Sequence, residues 1–113
     1  MQVGYFTDKP AEPQTKGDNV GTVMRRLISE DEGAKVFSMR LITIDPGGKI
    51  GLHEHPWEHE IFVVRGKGRA FTEGNAVDLV SGSYVWIPPN EKHGFENTDS
   101  EPLEFVCCIP LKQ

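Results

Sequence analysis

From Thr22 onward, the sequence is a succession of short β-type runs separated by turn residues, and this pattern constrains the fold more than any other feature. Apolar and β-branched residues cluster in short stretches, and the 3.6-residue period of an amphipathic helix is absent. Only Ser29 to Gly33 is a candidate for helix, as a loop or a single turn. The pattern predicts an all-β protein. Its predicted strands are 22–28, 35–45, 49–55, 60–65, 68–73, 76–80, 84–88, 93–97 and 103–109.

Glycine, proline, serine and asparagine occupy the gaps between these runs, as expected for tight turns. The turn segments are 46–48, 66–68, 74–75, 81–83, 88–90 and 97–102. Short strands without room for crossover helices are typical of a two-sheet sandwich or a jelly-roll barrel. We therefore predict a double-stranded β-helix, also called a jelly-roll barrel.

A chain of 113 residues falls in the size range of one domain. We place the barrel domain at residues 22–113 and an N-terminal arm at residues 1–21. Within the arm, segment 7–19 is rich in proline and polar residues, which predicts extended chain. The short apolar segment 3–6 precedes it, and we expect it to be an edge strand exchanged with a second subunit in a homodimer.

Charge and hydropathy exclude several classes of partner. The net charge is −5, and the twelve Lys and Arg residues form no basic stripe, so nucleic acid is not an expected partner. No stretch has the roughly 18 apolar residues of a membrane span, and the polar N-terminus lacks a signal-peptide core. These features predict a cytoplasmic protein. Cys107 and Cys108 are adjacent in a predicted strand, so we expect them on opposite faces and without a disulfide.

The four histidines of the chain fall in two places, and their spacing predicts a metal site. His53 and His55 project from the same face of a strand. Segment 56–58 then forms a corner that lets His59 face back toward them, and His93 follows the second proline-rich turn. Four imidazole nitrogens suit a divalent first-row metal, and the other nitrogen of each ring then needs a hydrogen-bond acceptor.

The histidine segment resembles the first motif of the cupin family, which is usually written G(X)5HXH(X)3-4E(X)6G. In this chain Gly47 is followed after five residues by His53 and His55, then after three residues by His59, and after six more by Gly66. The spacing matches, but His59 stands at the position that is usually glutamate. Because of this substitution, a site of three histidines and one carboxylate becomes an all-histidine site.

A second segment resembles the other cupin motif, G(X)5PXG(X)2H(X)3N. Gly82 is followed by Pro88, Asn90, His93 and Asn97 at the corresponding intervals. Asn90 replaces a glycine, and asparagine tolerates the left-handed backbone conformation that the glycine would supply. Together the two motifs span most of the predicted barrel.

Glu60 is the competing ligand at the third position, because the motif also permits a four-residue gap. We favour His59, because it shares strand parity with Ile61 while Glu60 alternates with it.

The chain looks like the small single-domain cupins whose four histidines bind manganese. This resemblance implies a divalent metal, with Mn first and Fe, Ni, Zn or Cu as alternatives that imidazole ligands also suit. It further implies a metal-dependent enzyme acting on a small organic molecule, with dioxygenase-type oxidative cleavage favoured. The alternatives are a non-redox isomerase or lyase and a non-catalytic module that binds a metal or small ligand.

Several other side chains are candidates for the surroundings of the metal, although core packing explains the apolar ones as well. The candidates for a pocket wall are Phe95, Trp86, Phe105, Ile61 and either Cys107 or Cys108. Arg40 and Arg69 are candidate anchors for a carboxylate, or members of solvated strand faces. Glu54 and Glu58 flank the histidines and are either close to the metal site or simply exposed.

Overall fold

The computed structural model describes residues 1–112, and nine strands account for most of them. Two single turns of 3-10 helix, Phe6–Asp8 and Glu30–Glu32, are the helical elements of these residues. The strands are β1 (Glu12–Pro13), β2 (Val20–Ile28), β3 (Phe37–His53), β4 (His59–Arg65), β5 (Lys67–Phe71), β6 (Ala76–Val80), β7 (Tyr84–Ile87), β8 (His93–Asn97) and β9 (Leu103–Pro110).

All nine strands form one curled sheet, and the pairs are antiparallel. The order of its main path is β6-β5-β8-β3-β9-β4-β7, with β2 added to β3 and β1 to β2. Strand β3 joins the two halves of the curl, because its first half pairs with β9 and its second half with β8. The predicted all-β jelly-roll barrel is confirmed.

Inward-facing side chains of both halves form a single core. Its most deeply buried members are Phe105, Ile44, Leu103, Val63 and Cys107. Along β9, the buried residues Leu103, Phe105 and Cys107 alternate with partly exposed ones, as expected for a strand that is buried on one face only. The core borders a cavity beside the histidines, because the core residues Met24, Ile42, Phe95 and Phe105 line that cavity.

The prediction of two separate strands at 35–45 and 49–55 was wrong in one respect, since β3 is continuous through Pro46, Gly47 and Gly48. These residues bend the strand without ending its pairing to β2, where Val20 still lies opposite Lys49. Gly47 has a φ of 80°, which a turn-forming glycine adopts without strain. The bend redirects the second half of β3 toward β8.

Residues 29–33 were predicted to form either a loop or a single helical turn. They form a single 3-10 turn, Glu30–Glu32. The Ser29 side chain accepts a hydrogen bond from the Asp31 amide, and Gly33 ends the turn at a φ of 95°.

The N-terminal arm contains one 3-10 turn and the short strand β1. Residues 3–6 form no strand within this chain, and Phe6 instead begins a 3-10 turn. The arm is tied down further along, where β1 pairs with β2 and the Arg25 guanidinium lies 5.5 Å from the centre of the Phe6 ring. Exchange of segment 3–6 with a second subunit stays a prediction.

Both cysteines are free thiols, as predicted. Cys107 is buried in the core and Cys108 is partly exposed on the opposite face of β9. Among residues 1–112, the structure has no helix long and apolar enough to cross a membrane.

Candidate metal centre

Three strand ends bring the four histidines to one mouth of the barrel. His53 is the last residue of β3, His59 the first of β4 and His93 the first of β8, and His55 lies in the loop between β3 and β4. Ligand nitrogens of His53, His55 and His93 all lie within 4.8 Å of one another. His53 and His93 lie directly opposite each other in the β3–β8 ladder. We call the four residues His53, His55, His59 and His93 the histidine cluster.

Backbone carbonyl groups fix three of the rings through their Nδ1 atoms. The acceptors are the carbonyl oxygens of Gly51 for His53, Trp57 for His55 and Glu91 for His93, each at 2.8 Å. A carbonyl oxygen only accepts, so each Nδ1 carries the proton and each Nε2 keeps a free lone pair in the neutral ring. This is the tautomer that binds a metal through Nε2.

His59 joins the cluster through His55. Its Nε2 lies 2.6 Å from Nε2 of His55, and its Nδ1 lies 2.9 Å from Sγ of Cys107. The centres of the His59 and His93 rings are 5.3 Å apart. Glu60, the competing ligand, is exposed on the outer face of β4 and points away from the cluster.

Burial keeps the rings of His55, His59 and His93 uncharged at neutral pH. Desolvation lowers the pKa of His59 to about 3 and that of His93 to about 4. The positive charges of the neighbouring histidines and of Arg40 lower the pKa of His59 further. Burial also lowers the pKa of His55. At neutral pH these rings are therefore lone-pair donors rather than cations.

The donor set fits a divalent first-row metal. Nε2 of His93 is buried and has no hydrogen-bond partner among the described residues. A buried polar atom without a partner costs free energy unless something else satisfies it. Nitrogen ligands with hydrogen-bonded second nitrogens are the arrangement that such ions prefer, and the cluster supplies it.

A cavity of about 430 Å³ opens beside the cluster and reaches from the barrel mouth toward the core. Its walls include Phe95 and Phe105, whose ring centres are 4.9 Å apart, so both side chains serve the core and the cavity at once. Arg40 also lines it, from the inner face of β3. A small organic molecule fits a space of this size beside the histidines.

Trp86 does not line this cavity but lines a second one, of about 550 Å³, whose walls also include His93 and Phe95. Val85 and Ile87 face inward on β7, so Trp86 projects outward, where it is 60% exposed and donates a hydrogen bond to Glu58. The run Tyr84–Ile87 is apolar throughout, and the sequence therefore gives no alternation that would fix its inward face.

The remaining candidate residues, Ile61, Glu54 and Arg69, have different surroundings in the structure. Ile61 is a core residue, 4% exposed. Glu54 is exposed at the rim of the cavity. Arg69 forms ion pairs with Asp78 and Glu96.

Sequence reasoning missed Trp57 and the contact between Cys107 and His59. The Trp57 ring stacks on His55 with centres 4.4 Å apart and an interplanar angle of 8°. Its position between His55 and His59 was the available signal. The turn that carries Asn90, at a φ of 67°, is joined to His55 by a hydrogen bond of 2.8 Å from the Asn90 amide to the His55 carbonyl. The left-handed conformation expected at Asn90 is confirmed.

Comparisons with known proteins agree with this geometry. The sequence profile described as "Cupin domain" matches residues 40–109. An oxalate-binding protein of Thermotoga maritima is 32% identical over 92 residues, which cover 78% of this chain and 74% of that protein.

Two solved structures are similar to this fold. The polyketide cyclase RemF of Streptomyces resistomycificus has a TM-score of 0.92 and 29% identity, covering 99% of this chain and 80% of that one. A predicted oxalate decarboxylase of Thermotoga maritima has a TM-score of 0.79 and 28% identity, covering 97% and 99%.

Proposed function

The chain belongs to the cupin domain family, and from that premise we propose that it is a divalent-metal-dependent enzyme acting on a small organic molecule. The observation that carries the proposal is the convergence of the histidine cluster. Three of its rings are held by backbone carbonyls in the metal-binding tautomer. All four histidines are assigned as ligands.

Manganese is our first assignment for the metal, because the motifs resemble those of the four-histidine manganese cupins. Neutral imidazoles leave the full charge of a divalent ion in place, whereas the usual carboxylate ligand would reduce it by one. Iron, nickel, zinc and copper also suit imidazole ligands. Metal analysis therefore has to accompany any test of activity.

The side chains around the cluster bind the substrate and exclude water. Phe95, Phe105 and Trp57 present apolar surface to the cavity, which favours a molecule with an apolar body. Burial lowers the pKa values of His59 and His93 and so keeps these two rings uncharged at neutral pH. A divalent ion bound there supplies Lewis acidity and open coordination positions for oxygen donors.

Dioxygenase-type oxidative cleavage is our first proposal for the reaction and rests on the motif resemblance. A non-redox reaction is the second candidate, and the similarity to the polyketide cyclase RemF over 99% of this chain supports it. A non-catalytic binding module is the third, and the oxalate-binding protein of Thermotoga maritima supports it.

One experiment separates these three candidates. The protein is stripped with chelator, reloaded with Mn(II) and mixed with a panel of small enols, catechols and hydroxy acids, in air and under anaerobic conditions. Oxygen uptake with product formation supports the dioxygenase, and product formed equally without oxygen supports a non-redox enzyme. Binding without turnover supports the third candidate.

The variants His59→Ala and His93→Ala are the controls for the site. Both are expected to lose the metal and the activity together. Turnover that survived both substitutions unchanged would contradict the proposed centre. A wild-type chain that takes up no divalent metal would contradict it as well.

A further inference from the structure

Arg40 and Arg69 were both candidate anchors for a carboxylate, and the structure separates them. The Arg69 side chain is 43% exposed and lies 3.6 Å from Asp78 and 3.2 Å from Glu96. Arg40 is partly buried on the inner face of β3 and lines the cavity beside the histidine cluster. Of the two arginines, only Arg40 therefore lines the candidate site.

The hydrogen-bond partners of Arg40 are two sulfur atoms. Its Nη1 donates to Sδ of Met24 at 3.5 Å, and its Nη2 donates to Sγ of Cys107 at 3.1 Å. Its Nε is buried and has no partner among the described residues. Among residues 1–112, no carboxylate oxygen lies within 4.0 Å of the Arg40 guanidinium.

This arrangement is unusual for a cation inside a barrel. Buried charges are normally paired, because desolvation of an isolated ion is costly. Thioether and thiol sulfur atoms are weak acceptors and do not replace a carboxylate. A planar guanidinium with free donors binds a carboxylate through two parallel hydrogen bonds, so the chemistry that completes this site is an anion.

The surroundings of Arg40 define the rest of the ligand. The same cavity is lined by His53, His55 and His59 and by the apolar side chains of Ile42, Phe95 and Phe105. One molecule of cavity size therefore meets a cation, an apolar wall and the histidines together.

We propose that Arg40 anchors the carboxylate of an apolar organic acid in this cavity, with another oxygen of the same molecule directed toward the histidine cluster. The carboxylate contact stands on Arg40 alone, and only the second contact rests on the proposed metal-dependent function. This assignment gives the substrate class as a carboxylic acid with an aromatic or aliphatic body.

The test measures binding of benzoate, and of its neutral analogue benzamide, by calorimetry. It uses wild-type protein in metal-free and Mn(II)-loaded forms, together with Arg40→Met, Arg40→Lys and the control Arg69→Met. Loss of charge-assisted hydrogen bonds is expected to weaken benzoate binding roughly 10- to 100-fold in Arg40→Met. Arg40→Lys should recover part of this loss, and Arg69→Met should bind as wild type does.

Benzamide is expected to bind all variants equally. Benzoate affinity unchanged in Arg40→Met, or benzoate that fails to bind the wild-type chain, overturns the proposal. An equal loss of benzoate and benzamide binding also overturns it, because it assigns Arg40 a packing role. Arg40-dependent benzoate binding by a chain that binds no Mn(II) would retain the anchor while contradicting the proposed metal centre.

Discussion

The Nε2 atoms of His55 and His59 lie 2.6 Å apart. Nδ1 of His55 donates to a backbone carbonyl, so the Nε2 of the neutral His55 ring offers a lone pair. Two lone pairs at this distance repel each other unless a proton or a cation lies between them. A metal ion relieves the repulsion for both rings, and in its absence His59 has to supply a proton from its own Nε2.

The pH dependence of stability follows from the buried rings. The pKa of His59 is about 3 and that of His93 about 4 in the folded chain, below the ordinary value of 6.5. At a pH between the folded and the unfolded pKa values, the unfolded chain binds more protons than the folded chain. The free energy of unfolding of the metal-free protein should therefore fall as the pH drops from about 6.5 toward about 4. Urea denaturation across this range measures it. His59→Leu should flatten the slope, and an identical slope in the variant would contradict the assignment.

Cys107 is expected to position His59. Its sulfur lies 2.9 Å from Nδ1 of His59 and leaves that ring with a defined orientation. Cys107→Val removes the acceptor and should weaken Mn(II) binding roughly 10-fold, as is typical of lost contacts to metal ligands. Cys107→Ser keeps an acceptor and should bind nearly as wild type does. Cys108→Val, on the opposite face of β9, is the matched control, and a loss as large as that in Cys107→Val would contradict this role.

The motif glycines should differ in their tolerance of substitution. A Cβ added at Gly66 would lie 2.2 Å from the Pro102 carbonyl oxygen, whereas one at Gly82 would meet nothing within 4 Å. Both have a positive φ, of 88° and 95°. Gly82→Ala should cost about 1 kcal/mol of unfolding free energy, and Gly66→Ala roughly 3 kcal/mol or more. Chemical denaturation of the two variants measures this difference, and equal losses would contradict the packing at Gly66.

A homodimer is the expected assembly. Tyr84 lies opposite Phe62 and Phe62 opposite Val106 across three strands, which gives the outer face a continuous apolar row. Tyr84 and Phe62 are 85% and 50% exposed, and such patches are typical of interfaces. Light scattering should give twice the chain mass, and Phe62→Asp should lower it while Val80→Asp on β6 does not. A wild-type monomer would contradict the prediction.

Much of the fold could be predicted from local patterns, because turn-forming residues separate most of the strands in the sequence. The bend at Pro46 to Gly48 could not, since a proline and two glycines predict a break equally well as a bend that keeps its pairing to β2. Segment 3–6 was assigned from its apolar character alone, and nothing local determines whether such a segment pairs within its own chain.

The candidate site was predictable where the spacing of histidines determined it. The roles of Arg40 and Cys107 were not predictable, because they depend on β3 and β9 lying side by side, with Arg40 opposite Cys107. The outward direction of Trp86 was not predictable either, because an all-apolar run has no alternation that would identify its inward face. Contacts between distant segments are therefore what the sequence alone leaves open.

The central claim is that all four histidines hold one divalent metal. The most direct measurement is anomalous diffraction at the manganese edge from a crystal of the Mn(II)-loaded protein. We predict one peak per chain, within about 2.3 Å of Nε2 of His53, His55, His59 and His93. A crystal without a peak at the cluster, or with a peak that excludes His59, would contradict the account.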